Sequence, residues 1–231
     1  MKKYLWLVMG ILYFFTAAVA VTAREALSAE KVVGAGQDGF SVVIDAGHGG
    51  MDGGVTGITT GVKESDLNLS LAFLLQELFL DAGFSVTMTR KTSFGLCEGA
   101  KPWTKKGDMK MRKEIIQTSN PDFVLSIHQN SLAFTRSTRG AQVFYKQGEE
   151  QGKRVALLAQ NALNAVYARH GVKGRNAVAA EYYMLECANV PSLIIECGFL
   201  SNPEDEKLLL TDVHKKQIAV AIFSGVVASL A

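Results

Sequence analysis

The sequence predicts an α/β domain, and three observations carry that prediction. Short β-branched or apolar runs, such as Val42-Val43-Ile44 and Phe123 to Ile127, alternate with longer segments of helical periodicity. Glycine and proline punctuate the junctions between them. Three of the runs, ending near Ile44, Ile127 and Ile195, lead into a histidine or a glutamate, and the ends of strands are where α/β sheets keep their chemistry. With 231 residues, 48% hydrophobic content and a formal charge of +2, the chain can bury one substantial core. It has no charge excess pointing to nucleic acid.

Taken in order, Lys2 and Lys3 precede an uncharged apolar run from Tyr4 to Val21, followed by small-residue sites at Ala18-Val19-Ala20 and Val21-Thr22-Ala23. Residues 1–23 therefore read as an export signal, either cleaved or kept as a membrane anchor, and they are the only membrane contact expected. Residues 24–39 read as a flexible linker, and residues 40–231 as the catalytic domain. The protein is expected outside the cytoplasm. Cys97, Cys187 and Cys197 are too few for a disulfide framework and have no zinc-site spacing, although a Cys187 to Cys197 bridge stays open.

Val42 to Ile44 is the first strand, and Asp45-Ala46-Gly47 stops it. His48 then sits on a loop flanked by glycines at 47, 49, 50, 53 and 54, thin enough to leave an imidazole uncrowded. Leu67, Leu71, Leu74, Leu75 and Leu78 recur at helical spacing, with Ser65 as the expected N-cap and Gly83 as the stop. Glu64 stands at the entrance of that helix, where it either leans toward His48 or complements the helix dipole. Val86, Met88 and Arg90 mark the next strand, completing a βαβ unit with a right-handed crossover.

Thr92 to Gly107 reads as a long surface loop, with Trp103 as a stacking platform or a buried aromatic. Asp108 is expected to cap a helix running to about Ser119, with Arg112 facing solvent or an acid. Phe123 to Ile127 delivers His128, repeating the arrangement at His48. Gly140 to Tyr145 reads as a strand placing Gln142 and Tyr145 at the site edge, and Gln151 to His170 as a helix with His170 complementing its C-terminal dipole. Tyr183 to Leu185 and Ser192 to Ile195 read as two further strands, the second followed by Glu196. Two helices close the chain, the last with His214 expected on the surface.

If the three strands are parallel neighbours, His48, His128 and Glu196 share one edge of the sheet with Glu64. Two histidines and a carboxylate form a ligand set for catalytic zinc that leaves one position open. Glu196 is then available as a general base, its apolar setting raising its pKa; the alternative is a buried acid paired with Arg112 or Arg175. Asp45 and Asn130 are near enough to orient the imidazoles.

The segments VVIDAGHGGMDGG, KESDLNLS, SVTMTR, NPDFVLSIHQNS, GAQVFY and VPSLIIECGFLSNPEDEKLL, in that order, resemble the zinc-dependent N-acetylmuramoyl-L-alanine amidases of bacterial cell walls from about Ser41 to Ala231. The resemblance implies an open mixed β-sheet flanked by helices on both faces. It also implies Zn2+ held by His48, Glu64 and His128, catalysis by Glu196, and hydrolysis of the amide joining L-alanine to the muramic acid lactyl group of peptidoglycan. An export signal with one catalytic domain and no wall-binding repeats is most similar to the spore-cortex members, whose action leads to muramic-δ-lactam; a vegetative wall-remodelling enzyme is the alternative. The chain departs from the family pattern at Glu186, where Arg or Lys is common, and at Ser65, where Lys is frequent. An accessory protein is left open. A non-catalytic wall-binding relative would be expected to lose one of the four site residues, all of which are present. A dinucleotide fingerprint starting at Gly47 fails because position 52 is Asp. A zinc peptidase acting on the same polymer is chemically nearest and is separated by its products.

Overall fold

The sheet grows outward from the strand that leads to His48. In the computed structural model, which describes residues 39–99 and 103–231, that strand is β1 (Ser41–Ala46). The expected leader, and the expected linker apart from Gly39, lie outside the described residues. Then follow α1 (Glu64–Asp81), β2 (Ser85–Met88), α2 (Lys105–Ser119), β3 (Phe123–Asn130), β4 (Gln142–Lys146), α3 (Glu150–Ala168) and β5 (Val178–Ala180). A 3-10 turn (Tyr183–Glu186), β6 (Ser192–Phe199), α4 (Pro203–Leu209) and α5 (Asp212–Ala228) complete the chain.

The six strands run β2-β1-β3-β6-β4-β5. β1 is parallel to β2 and β3, β3 is parallel to β6, and β4 runs antiparallel to β6, so the sheet is mixed, as expected. The three strands that lead to candidate site residues are adjacent and parallel, with Ala46 beside Ile127 and His128 beside Glu196.

Side-chain alternation divides the core. Val42, Ile44, Phe123, Leu125, Leu193 and Ile195 face the larger cluster, covered by α1, α3 and α5. Val43, Val124 and Ile194 face a smaller cluster with Ile116 of α2 and Met184 and Leu185 of the 3-10 turn. Each buried aliphatic or aromatic side chain contributes roughly 1.5–3 kcal/mol, so the larger layer holds the domain together. The period of two also puts Asp45, Ser126, His128 and Glu196 on the thinner side, at the C-terminal ends of the strands.

Several local expectations are corrected. α1 begins two residues early, at Glu64, and its N-cap is Lys63 with no side-chain cap, so Ser65 is inside the helix. α2 is capped by Thr104, whose hydroxyl accepts from Gly107 N, and Asp108 turns inward instead. Tyr183 to Leu185 is not a strand, because Met184 and Leu185 both bury into the smaller core and alternation cannot hold. Gln142 does stand at the site edge, opposite Glu196 in the sheet, but its amide is committed elsewhere: it donates to Asn176 O and accepts from Arg175 Nε. His214 is 2% exposed, because the first turn of α5 packs it edge-on against Tyr167 and His170, at 5.0 and 5.3 Å between ring centres. Cys187 and Cys197 are both free thiols.

Candidate active site

Three separate elements bring the nitrogen and oxygen donors together. His48 lies just past β1 with φ of 60°, a left-handed conformation that few non-glycine residues adopt and that marks functional loops. His128 is carried by β3 itself, and Glu64 is the first residue of α1. Glu64 Oε1 is 3.2 Å from His48 Nε2 and 2.9 Å from His128 Nδ1. The two imidazoles stand nearly perpendicular, 81° between planes, with centres 5.0 Å apart. One donor atom from each residue lies within 4.8 Å of the others. Two imidazoles and one carboxylate converging at that spacing fit zinc with a position left for substrate or water.

Close packing fixes the geometry. A Cβ on Gly47 would enter the His128 ring, and one on Gly54, which holds φ at 69°, would strike the Glu64 carboxylate. The far oxygen, Glu64 Oε2, accepts from Val55 N at 3.0 Å, while Gln129 N donates to Oε1 at 3.1 Å. Burial alone would raise the Glu64 carboxyl, but hydrogen bonds from His128 and His48 and their charges hold it well below the usual carboxylate range. Burial would likewise lower His48, yet Glu64 and Asp52 outweigh it and its pKa is raised. Protons and a cation therefore compete for these donors.

Glu196 sits on β6 directly beside His128. Its Oε2 is sealed from solvent and has no hydrogen-bond partner among the described residues. Burial lifts its carboxyl to about 7, assisted by the Glu64 charge and opposed by His128 and His48. It is not the ion-paired structural acid that was the alternative, because Arg112 binds Asp45 and Asp108, and Arg175 Nε donates to Gln142 Oε1. A carboxylate poised near neutrality at the mouth of a cleft can exchange a proton with water or a leaving amine.

The expected orienting residues are corrected. Asp45 does not touch either imidazole: it accepts from Arg112 at 2.5 Å, Thr89 at 2.7 Å and Ser126 at 2.6 Å. Burial opposes its ionisation, but Arg112 and the two hydroxyls hold it down at about 2. The Asn130 side chain accepts from Ser131 N. The carboxylate at His48 is Asp52, whose Oδ2 lies 3.0 Å from Nδ1. Its signal in the sequence was its place four residues beyond His48 in the same glycine loop.

Arg112 takes the acid of its two expected alternatives, pairing with Asp45 and Asp108, but its hold on the His48 loop, and that of the buried Arg90, carried no sequence signal. Arg112 donates to Ala46 O at 2.9 Å and His48 O at 2.6 Å. Arg90 donates to Ala46 O, to Gly47 O and, at 2.7 Å, to Ser65 O, tying the His48 loop to the start of α1. Beside the donors opens a cleft of about 370 Å³ whose wall includes Lys105, Met109, Tyr182, Tyr183 and Ile194. Trp103 is not part of that wall, and Glu186 is paired with Lys146 at 2.6 Å.

Comparison with known proteins places the chain. The sequence pattern of the family described as N-acetylmuramoyl-L-alanine amidase matches residues 42–228. The germination-specific N-acetylmuramoyl-L-alanine amidase of Bacillus subtilis is 30% identical over 191 residues, covering 81% of this chain and 78% of that protein. The CwlD amidase of Clostridioides difficile, solved in complex with the GerS lipoprotein, is similar with a TM-score of 0.78 and 33% identity over 83% of this chain and 98% of that one. An N-acetylmuramoyl-L-alanine amidase from Clostridium difficile 630 gives 0.72 and 27% over 84% and 98%.

Proposed function

This chain belongs to the N-acetylmuramoyl-L-alanine amidase family, and from that premise we propose that it is a zinc-dependent amidase of spore-cortex peptidoglycan, with Glu196 as its proton-transfer residue. The observation that carries the reading is the placement of the unpaired Glu196 beside His128, itself one of three converging donors.

His48, Glu64 and His128 would hold the metal, which when bound supplies Lewis acidity toward a carbonyl and toward water. The chain's own residues do the rest. Glu196 accepts a proton from the attacking water as that water adds to the lactyl carbonyl. It then delivers the proton to the alanine nitrogen, so that the C–N bond breaks and a neutral amine departs. Val55 N and Gln129 N keep the Glu64 carboxylate in place throughout. Asp52 lies 3.0 Å from the second His48 nitrogen, and the cleft beside the donors is where the stem peptide would lie.

The cortex assignment rests on the germination-specific relative and on the CwlD neighbour. The GerS lipoprotein in that neighbour's structure supports an accessory protein for this chain as well. The wall substrate and the export signal read at residues 1–23 together support a site of action outside the cytoplasmic membrane.

Glu196→Ala should abolish release of peptide from peptidoglycan while one zinc per chain remains bound. Full activity in that variant sinks the assignment. Release of free L-alanine amino termini distinguishes an amidase from a peptidase. For the cortex role, spores of a deletion strain should lack muramic-δ-lactam, and unchanged lactam points to vegetative wall remodelling instead.

A further inference from the structure

The cleft wall carries one cation whose placement runs against local helix physics. Lys105 is the first residue of α2 and Lys106 the second, at a helix end where aligned peptide dipoles disfavour positive charge. Departures from a local rule are expected at functional positions. Of the two cations lining the cleft among the described residues, Arg112 is buried and committed to Asp45 and Asp108. The Lys105 side chain is 65% exposed and makes only a loose pair, 3.4 Å, with Asp52 Oδ2. The same oxygen is 3.0 Å from His48 Nδ1, so two short steps separate the ammonium from a proposed metal ligand.

We infer that Lys105 binds the free carboxylate of the stem-peptide residue following L-alanine, and so sets specificity for an acidic second residue; this rests on the amidase reading above. That residue of peptidoglycan is a glutamate joined onward through its side chain, which leaves its α-carboxylate free. From the scissile nitrogen to that carboxyl carbon is a path of five bonds, roughly 6 Å when extended. A stem lying along the cleft from the donor cluster therefore brings its first anionic group to the neighbourhood of Lys105. The flanking wall of Met109, Tyr182 and Tyr183 is suited to the uncharged part of the stem. Asp52 holds the ammonium in place while leaving its remaining N–H donors available.

Two N-acetylmuramoyl tripeptides that differ only in whether this α-carboxyl is free or amidated provide the test, with the zinc-loaded full chain. Wild type should cleave the acid about fivefold more efficiently than the amide in kcat/KM, through KM, which is the effect of one exposed charge pair. Lys105→Met should bring the acid-to-amide ratio near one, and Lys105→Arg should restore it. Added salt should lower the wild-type ratio. The thermal midpoint of Lys105→Met should not fall, since a cation leaves a helix N-terminus; this separates recognition from a structural role. The same ratio in wild type and Lys105→Met overturns the inference. A wild type that leaves both muropeptides intact defeats the amidase reading itself and this inference with it.

Discussion

Glu196→Gln should make the metal-free protein more stable at alkaline pH while it removes hydrolysis, and the size of the gain follows from the site. Burial raises the Glu196 carboxyl from its ordinary 4.5 to about 7. At ~1.4 kcal/mol per pH unit of displacement, keeping the ionised form in the native state costs up to roughly 3 kcal/mol. The residue opens partly on the cleft, so roughly 1–3 kcal/mol is expected. Below 4.5 both folded and unfolded chains hold the proton and the cost is absent; it grows as pH rises and is complete above about 7. Glutamine cannot ionise, so the difference between variant and wild type isolates this one group. Near pH 4.5 the two thermal midpoints should differ only by the amide's own effect. At pH 8 the variant should gain several degrees relative to that baseline, at ~2–4 °C per kcal/mol for a domain of this size. Zinc should narrow the gap, because a dication stabilises the ionised carboxylate. Calorimetry of chelator-treated proteins at both pH values decides the matter. An offset that does not change with pH, or a wild type that gains on the variant at pH 8, refutes the desolvation argument.

Three further perturbations test the surroundings. Gly47→Ala should weaken zinc binding about 10–100-fold, since its Cβ would displace the His128 ring, and chelator competition reads the affinity directly. Arg112→Met strands Asp45 and Asp108 as buried charges, and urea unfolding should show a loss of about 3–5 kcal/mol; a loss under about 1 kcal/mol would mean the ion pairs do not anchor the loop. His214 has its pKa pushed down to about 4 by burial, with His170 and Arg139 adding to it. The unfolded chain takes up this proton below its ordinary 6.5, so the native state loses stability as pH falls from there toward about 4. His214→Leu should therefore gain on wild type in denaturant melts at pH 5 relative to pH 8, and equal differences at the two pH values would count against it.

The strands that position the chemistry were legible because parallel β-structure buried on both faces writes itself as continuous apolar runs. Val42-Val43-Ile44, Phe123 to Ile127 and Ser192 to Ile195 all became strands, whereas their adjacency was only a condition of the site reading and is given by the structure. Tyr183 to Leu185 shows where that logic ends. A three-residue apolar run has too few positions to separate alternation from a turn, and contact with Ile116 and Ile194 decided for the turn. His214 was misplaced for a related reason: α5 is apolar around most of its circumference, so its sequence does not mark which side meets α3.

Within the site, donor identity is local information and donor orientation is not. Histidine or glutamate at a strand or helix end announces itself in a few residues, whereas what holds it there comes from positions tens of residues away. Arg112 reaches His48 O across 64 positions, and Arg90 joins Gly47 O to Ser65 O across 43 and 25. An arginine in a helical pattern carries no sign of such a role, because the same letter serves equally well on a solvated face. Burying both guanidiniums in one layer has its own cost: desolvation and the Arg112 charge bring Arg90 down to about 10. Asp45 offsets it by remaining ionised between them, which is why a carboxylate next to the site contributes no direct contact to the imidazoles. The loop of His48 is thus set by backbone carbonyls locked to fixed cations. That leaves the imidazole and Glu196 out of the ion-pair network that sets the loop, and available to a metal and a substrate.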